Sequence, residues 1–223
     1  MAKKKKNQKK YANKTQKMAP VAKRDNKKLL ALCGAGAVVV LAVVLILAFS
    51  GKSGGKTEGI GTYSADIVIR DYGTVTVELD GDTAPITVRN FVDLAESGFY
   101  DGLTFHRVVE GFMAQGGDPR GDGYGNAGTT IVGEFKANGH ENNISHVRGT
   151  ISMARGGNSY NSASCQFFIV HQDATFLDGQ YAAFGHVVSG MEFIDAICEA
   201  AGPVDRVLPA DEQPVIESIT IRR

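Results

Sequence analysis

Leu29 to Phe49 (LLALCGAGAVVVLAVVLILAF) runs for 21 residues without a charged side chain. As a helix it would rise about 31 Å at 1.5 Å per residue, the thickness of a bilayer's hydrocarbon core. A soluble core helix rarely continues so far without a polar position, so the run predicts a single transmembrane helix and leaves the rest of the chain to fold without it. A cleaved signal peptide fits less well, because its apolar region is shorter and no small-x-small cleavage site follows Phe49. Cys33 lies at the start of the run and reads as a thiol within the span.

The formal net charge of zero conceals two regions of opposite sign. Residues 1–28 hold twelve Lys or Arg against one acid, Asp25, a net of +11, whereas the chain from Thr57 onward holds ten against 23 Asp or Glu, a net of −13. A dense basic flank ahead of the span keeps residues 1–28 cytoplasmic and sends the bulk of the chain to the extracytoplasmic side of the cell membrane. That tail reads as disordered and attracted to anionic lipid, at about 1 kcal/mol per basic residue near the surface. With Tyr11 as its one aromatic and no folded scaffold, it does not read as a nucleic-acid binder. Residues 50–61 (SGKSGGKTEGIG) form a Gly/Ser-rich linker, so a folded domain is expected over 62–223.

In that domain the signals are mainly strand. Asp66–Arg70 and Thr74–Leu79 read as a hairpin turning at Asp71-Tyr72-Gly73. Thr104–Val109, Phe112–Gln115, Gly149–Ala154, Gln166–Val170 and Ala182–Val188 are short, β-branched or aromatic and bounded by turn residues. Two segments have helical spacing. Pro85–Ser97 starts on a proline suited to a first turn and stops at Gly98, and a second helix follows a Ser189…Glu192 capping box and closes at Gly202. Many short strands with two helices suggest a barrel or sandwich whose open ends the helices cover. Cys165 and Cys198 read as two buried free thiols. Gly123–Gly128 spells G-x-G-x-x-G, but no strand precedes it and no helix opens behind it, so a dinucleotide site is not expected.

The usual catalytic constellations are missing. No G-x-S-x-G occurs, and the five histidines fall at no metal-ligand spacing. What stands out is Phe105 to Asp118 (FHRVVEGFMAQGGD), which gathers Arg107, Phe112, Met113 and Gln115 in nine residues. His106 and Arg107 are adjacent on a strand and should face opposite ways, while Met113 and Gln115 share a face. Phe112 joins them only if the chain bulges or bends near Gly111.

These residues, with Gly149-Thr-Ile-Ser-Met-Ala-Arg155, Ser164-Cys-Gln-Phe-Phe-Ile169 and Phe176-Leu-Asp-Gly-Gln-Tyr-Ala-Ala-Phe-Gly185 in the same order and spacing, resemble the cyclophilin-type peptidyl-prolyl cis-trans isomerases from about Tyr63 to the end. With the span ahead of it, the chain looks like a membrane-anchored bacterial form. The resemblance implies a closed eight-stranded antiparallel barrel capped by two helices. It implies catalytic roles for Arg107 and Gln115, and a substrate groove of Phe112, Met113, Ala154, Arg155, Phe168, Phe176, Leu177 and Tyr181. It implies isomerisation of X-Pro bonds in unfolded or exported polypeptides as they fold, with no cofactor and no metal; a non-catalytic proline-peptide-binding or holdase module is the alternative. Phe176 stands where the best-known eukaryotic members carry tryptophan and Tyr181 where they carry histidine, so weak or no cyclosporin binding is expected. Arg155 replaces the usual asparagine and is expected to favour acidic residues beside the proline.

Overall fold

The computed structural model describes residues 59–223. The predicted membrane span at 29–49, the tail at 1–28 and most of the linker lie outside the described residues. Among the described residues no helix is long and apolar enough to cross a membrane.

Eight strands form one continuous sheet: β1 (Thr62–Ile69), β2 (Gly73–Asp80), β3 (Thr104–Val109), β4 (Met113–Asp118), β5 (Thr150–Met153), β6 (Phe167–Val170), β7 (Ala183–Ser189) and β8 (Ile216–Arg222). Their order is β3-β4-β6-β5-β7-β2-β1-β8, and every neighbouring pair is antiparallel. The fully closed barrel expected from the sequence is corrected to a half-barrel, because edge strands β3 and β8 share no ladder. The segment entering β8 spans the gap instead, through an isolated Thr104–Val215 bridge and a bond from the Phe105 N–H to the Pro214 carbonyl at 2.9 Å. Pro214 has no N–H with which to extend that pairing.

Two α-helices accompany the sheet among the described residues, α1 (Pro85–Glu96) and α2 (Met191–Ala201). α1 buries Val88, Phe91, Val92 and Ala95 and ends where Gly98 takes φ +73°. Its N-terminus lacks a local side-chain cap. Glu134, from a distant loop and almost wholly buried, accepts from the N–H of Ile86 (3.0 Å), the N–H of Thr87 (2.7 Å) and the Thr87 hydroxyl (2.7 Å). A carboxylate there satisfies free backbone donors and opposes the positive helix end. The capping box expected at Ser189 does not form: Ser189 is the last residue of β7, paired with Thr76, and the cap position falls on Gly190 at φ +83°. Gly202 closes α2 as expected, its N–H on the Cys198 carbonyl at 3.0 Å.

The inner face of the sheet packs an aromatic core, in which Phe91 lies 5.3 Å from both Tyr100 and Phe184 and Phe105 lies 5.9 Å from Phe167, centroid to centroid. Cys165 and Cys198 are free and buried, and burial pushes their thiols up to about 11 and about 12.

Candidate active site

Strand alternation divides the sheet's side chains between the core and a second, outer apolar cluster. Phe167 and Ile169 of β6 enter the core with Ala114 of β4. Their neighbours Phe168, Val170 and Met113 turn outward to join Val109, Ala174 and Leu177, with Phe112, Ala154 and Tyr181 packed alongside. Register aligns the polar members, since Arg107 pairs with Gln115 on β4 and Gln115 pairs with Phe168 on β6.

Two irregularities in the β3–β4 ladder make this possible. Phe105 opposes Gly116 and Arg107 opposes Gln115, so His106 is an extra, bulged residue; Thr104 opposes Asp118, so Gly117, at φ +80°, is the compensating extra residue on β4. In a regular strand Phe105 and Arg107 would share a face, whereas the bulge sends one to the core and the other to the groove. His106 is buried and Arg107 partly exposed; neither ring nitrogen of His106 finds a hydrogen-bond partner among the described residues.

All ten residues singled out in the sequence line one cavity of about 290 Å³: Arg107, Phe112, Met113, Gln115, Ala154, Arg155, Phe168, Phe176, Leu177 and Tyr181. Phe112 enters from the turn before β4. Gly111 takes φ +80° and the Phe112 N–H bonds to the Val109 carbonyl at 3.0 Å, so a bend at Gly111 delivers the ring. Phe176 and Leu177 come from a 3-10 turn, Thr175–Leu177. Phe176 is 68% exposed and lies 5.7 Å from Phe112, forming the rim, while Tyr181 meets Phe168 edge-on at 6.1 Å.

Arg107 is held from two sides. Its Nε and Nη2 donate to the two Asp205 carboxylate oxygens, each at 2.7 Å, and Nη1 donates to Gln115 Oε1 at 3.0 Å. The guanidinium also lies 5.9 Å from the Phe112 centroid. Oxygen acceptors take three of its five N–H groups, Nη1 also meets Met113 Sδ at 4.0 Å, and one N–H on Nη2 is left. The Arg107 guanidinium beside Asp205 holds that carboxyl below the usual carboxylate range. Gln115 is oriented in turn by Gln166, whose Oε1 accepts from Gln115 Nε2 at 2.8 Å and whose Nε2 donates to the Gly125 carbonyl at 2.8 Å. The sequence reading missed Asp205, which lies in an irregular stretch 98 residues from Arg107. It had Gln166 at the start of a strand and within the Ser164–Ile169 segment, but not in this role.

A second cavity of about 280 Å³ adjoins the first, sharing Gln115, Ala154 and Arg155 and continuing past Tyr124, Gly125 and Gln166. The glycine-rich loop at its edge is organised by its own anion: the buried Asp118 carboxylate accepts from the N–H groups of Arg120 (2.8 Å) and Gly123 (2.6 Å). Donors of the kind that would cradle a phosphate are thus already occupied.

His146 places Nε2 3.0 Å from Ser152 Oγ and Nδ1 2.8 Å from Asp178 Oδ1, the connectivity of a hydrolytic triad. Ser152 and His146 are both 0% exposed, so no substrate reaches them. The His146 ring instead stacks behind the Phe168 wall at 6.0 Å, and burial lowers its pKa against the opposing pull of Asp178. Among the described residues, no group of three or more His, Cys, Asp or Glu is placed to hold a metal.

The model of the family described as cyclophilin type peptidyl-prolyl cis-trans isomerase/CLD matches residues 64–223. Peptidyl-prolyl cis-trans isomerase B of Bacillus subtilis is 46% identical over 126 residues, covering 56% of this chain and 84% of that protein. A peptidyl-prolyl cis-trans isomerase of Synechococcus elongatus is 45% identical over 119 residues, covering 53% and 77% respectively. Among solved structures, a cyclophilin type peptidyl-prolyl cis-trans isomerase of Cryptosporidium parvum superposes with a TM-score of 0.64 at 29% identity, over 73% of this chain and 98% of that one. The same protein crystallised in the presence of the dipeptide Ala-Pro gives 0.63 at 30% identity, over 72% and 99%.

Proposed function

This chain belongs to the cyclophilin-type peptidyl-prolyl cis-trans isomerase family, and from that premise we propose that it isomerises X-Pro bonds without covalent chemistry, with the proline ring seated between Phe112, Met113, Phe168 and Leu177 and Arg107 acting on the twisted amide. The observation that carries this reading is one guanidinium fixed at the edge of an apolar cavity, with one Nη2 N–H to spare and another held only by the weak Met113 Sδ acceptor.

Rotation about an X-Pro bond must break amide resonance, against a barrier of about 18–20 kcal/mol. At the top of that barrier the prolyl nitrogen is pyramidal and carries a lone pair that the planar amide lacks. A donor aimed at that nitrogen therefore binds the transition state more tightly than either ground state. One charged hydrogen bond supplies about 1.5–3 kcal/mol. Shortening seconds to milliseconds needs about 4 kcal/mol, and hundreds of seconds to milliseconds about 7 kcal/mol. The apolar walls, which hold the ring and exclude water, and Gln115, which steadies Arg107 and reaches the rotating carbonyl, supply the remainder. Ala154 and Arg155 offer backbone groups to the peptide. Phe176, without an indole N–H and mostly exposed, gives a weak cyclosporin contact.

The clients are exported polypeptides folding outside the cytoplasmic membrane, with residues 29–49 as the anchor, residues 1–28 cytoplasmic and the isomerase domain on the far side. Protease added to intact cells should remove the domain; full protection would reverse that orientation. The activity is tested by following isomerisation of a short X-Pro peptide and, in parallel, peptide binding by the full chain in non-ionic detergent. Turnover is the expected outcome. Binding without turnover would leave a holdase that uses the same groove.

A further inference from the structure

Arg155 stands at the junction of the two cavities, and among the described residues no carboxylate pairs with it. Its guanidinium carbon lies 4.6 Å from the centroid of Tyr181, 5.1 Å from Tyr160 and 5.4 Å from Phe135. Nε donates to the Gln180 carbonyl at 3.0 Å and Nη1 to the Gly156 carbonyl at 3.1 Å. Three of the five N–H groups, including both on Nη2, are left without an acceptor among the described residues. Arg107, Arg120, Arg148 and Arg206 each meet a carboxylate. Among the described residues Arg155 meets none, although the chain from Thr57 onward carries 23 acids against ten bases.

Placement gives this cation a use. Ala154, Arg155 and Gln115 are the residues common to both cavities, and neither lining contains an acid. A polypeptide with its proline in the first cavity passes them on the way to the second. At about 3.3–3.6 Å per residue, a side chain one or two positions from the proline comes beside the guanidinium. A carbonyl or amide would take one of the spare donors, whereas a carboxylate takes two as a charged fork. The three aromatic rings already hold the guanidinium, so little side-chain freedom is lost on binding.

We propose that Arg155 makes this groove select substrates carrying Glu or Asp one or two residues from the proline. The proposal rests on the proline-binding reading above. It runs against the charge of the domain as a whole, whose net of −13 from Thr57 onward repels acidic peptides. Removing Arg155 should therefore reverse the preference as well as weaken it.

The test measures affinities of the full chain in non-ionic detergent for fluorescent single-proline peptides carrying Glu or Gln at each of the two positions on either side. At one of these positions Glu should bind about fivefold tighter than Gln, the scale of a well-formed exposed ion pair. That ratio should shrink toward one at high salt. In Arg155→Gln the Glu peptide should become the weaker ligand, Arg155→Lys should keep part of the preference, and Arg89→Gln, which removes an exposed charge on α1, should leave it intact. A ratio of one or less at all four positions, or a preference that survives Arg155→Gln, overturns the proposal. Turnover of the Gln peptides separates the two readings. A flat Glu/Gln ratio with turnover intact counts against Arg155 alone, and a Glu preference without turnover counts against isomerisation while supporting Arg155.

Discussion

Asp205 should matter to catalysis although it does not line the cavity. Replacing it with alanine removes two 2.7 Å bonds to Nε and Nη2 and leaves Arg107 steadied by Gln115 at 3.0 Å and the Phe112 ring. Two effects then compete. A freed guanidinium presents more unshielded charge, which would help it stabilise a lone pair, but it also regains rotamer freedom worth up to about 2 kcal/mol. Asp205 is 58% exposed, so solvent screens its charge heavily, whereas the hydrogen bond to the prolyl nitrogen depends steeply on position. Positioning should win. Discounted for exposure, the bidentate pair is worth about 1 kcal/mol, or about a fivefold loss of kcat/KM at 1.36 kcal/mol per decade. The loss should fall on kcat with peptide affinity nearly unchanged, and Asp205→Asn should recover part of it. A protease-coupled or NMR exchange assay reads both parameters, with the thermal midpoint as a check on folding. Unchanged or faster turnover in Asp205→Ala would refute the positioning argument and make Asp205 a brake on Arg107.

Two further outcomes test the scaffold. Glu134→Ala strands three donors at the start of α1, which should cost about 3 kcal/mol and lower Tm by about 6–12 °C in differential scanning calorimetry; a fall below 2 °C would remove the capping account. His106 and His146 both have lowered pKa values, each chiefly through burial. Between those values and the unfolded value near 6.5, the unfolded chain alone binds the protons, so stability should fall as the pH drops below about 6.5, by at most about 1.4 kcal/mol per pH unit per histidine. Asp178, Asp195 and Asp205 are shifted down and lose their contributions only at lower pH. Urea midpoints at pH 7.5 and 5.5 measure the histidine window, and equal midpoints would contradict it.

The groove was legible in the sequence where its residues lie on regular strands or in short motifs beside them. Met113, Gln115 and Phe168 follow from alternation, and the glycine at 111 marks the bend that brings in Phe112. Strand β8 went unread, although Ile216, Ile219 and Ile221 all pack at the core. Ser189…Glu192 has the pattern of a capping box, yet Ser189 is taken by the sheet, a tertiary demand that local spacing does not report. Asp205 and Glu134 act across 98 and 47 or more residues in contacts fixed by the folded chain and carried by no motif, and the segment that holds Gln166 does not report its contact with Gln115 51 residues away. The barrel's incomplete closure depends likewise on where Pro214 meets Phe105.

The most direct test of the central claim compares wild type with Arg107→Ala for both turnover and affinity on one X-Pro peptide. If the guanidinium acts on the twisted amide, kcat/KM should fall about 10- to 150-fold, the equivalent of one charged hydrogen bond, while peptide affinity changes less than twofold. An equal loss of affinity, or turnover that survives the substitution, would contradict it.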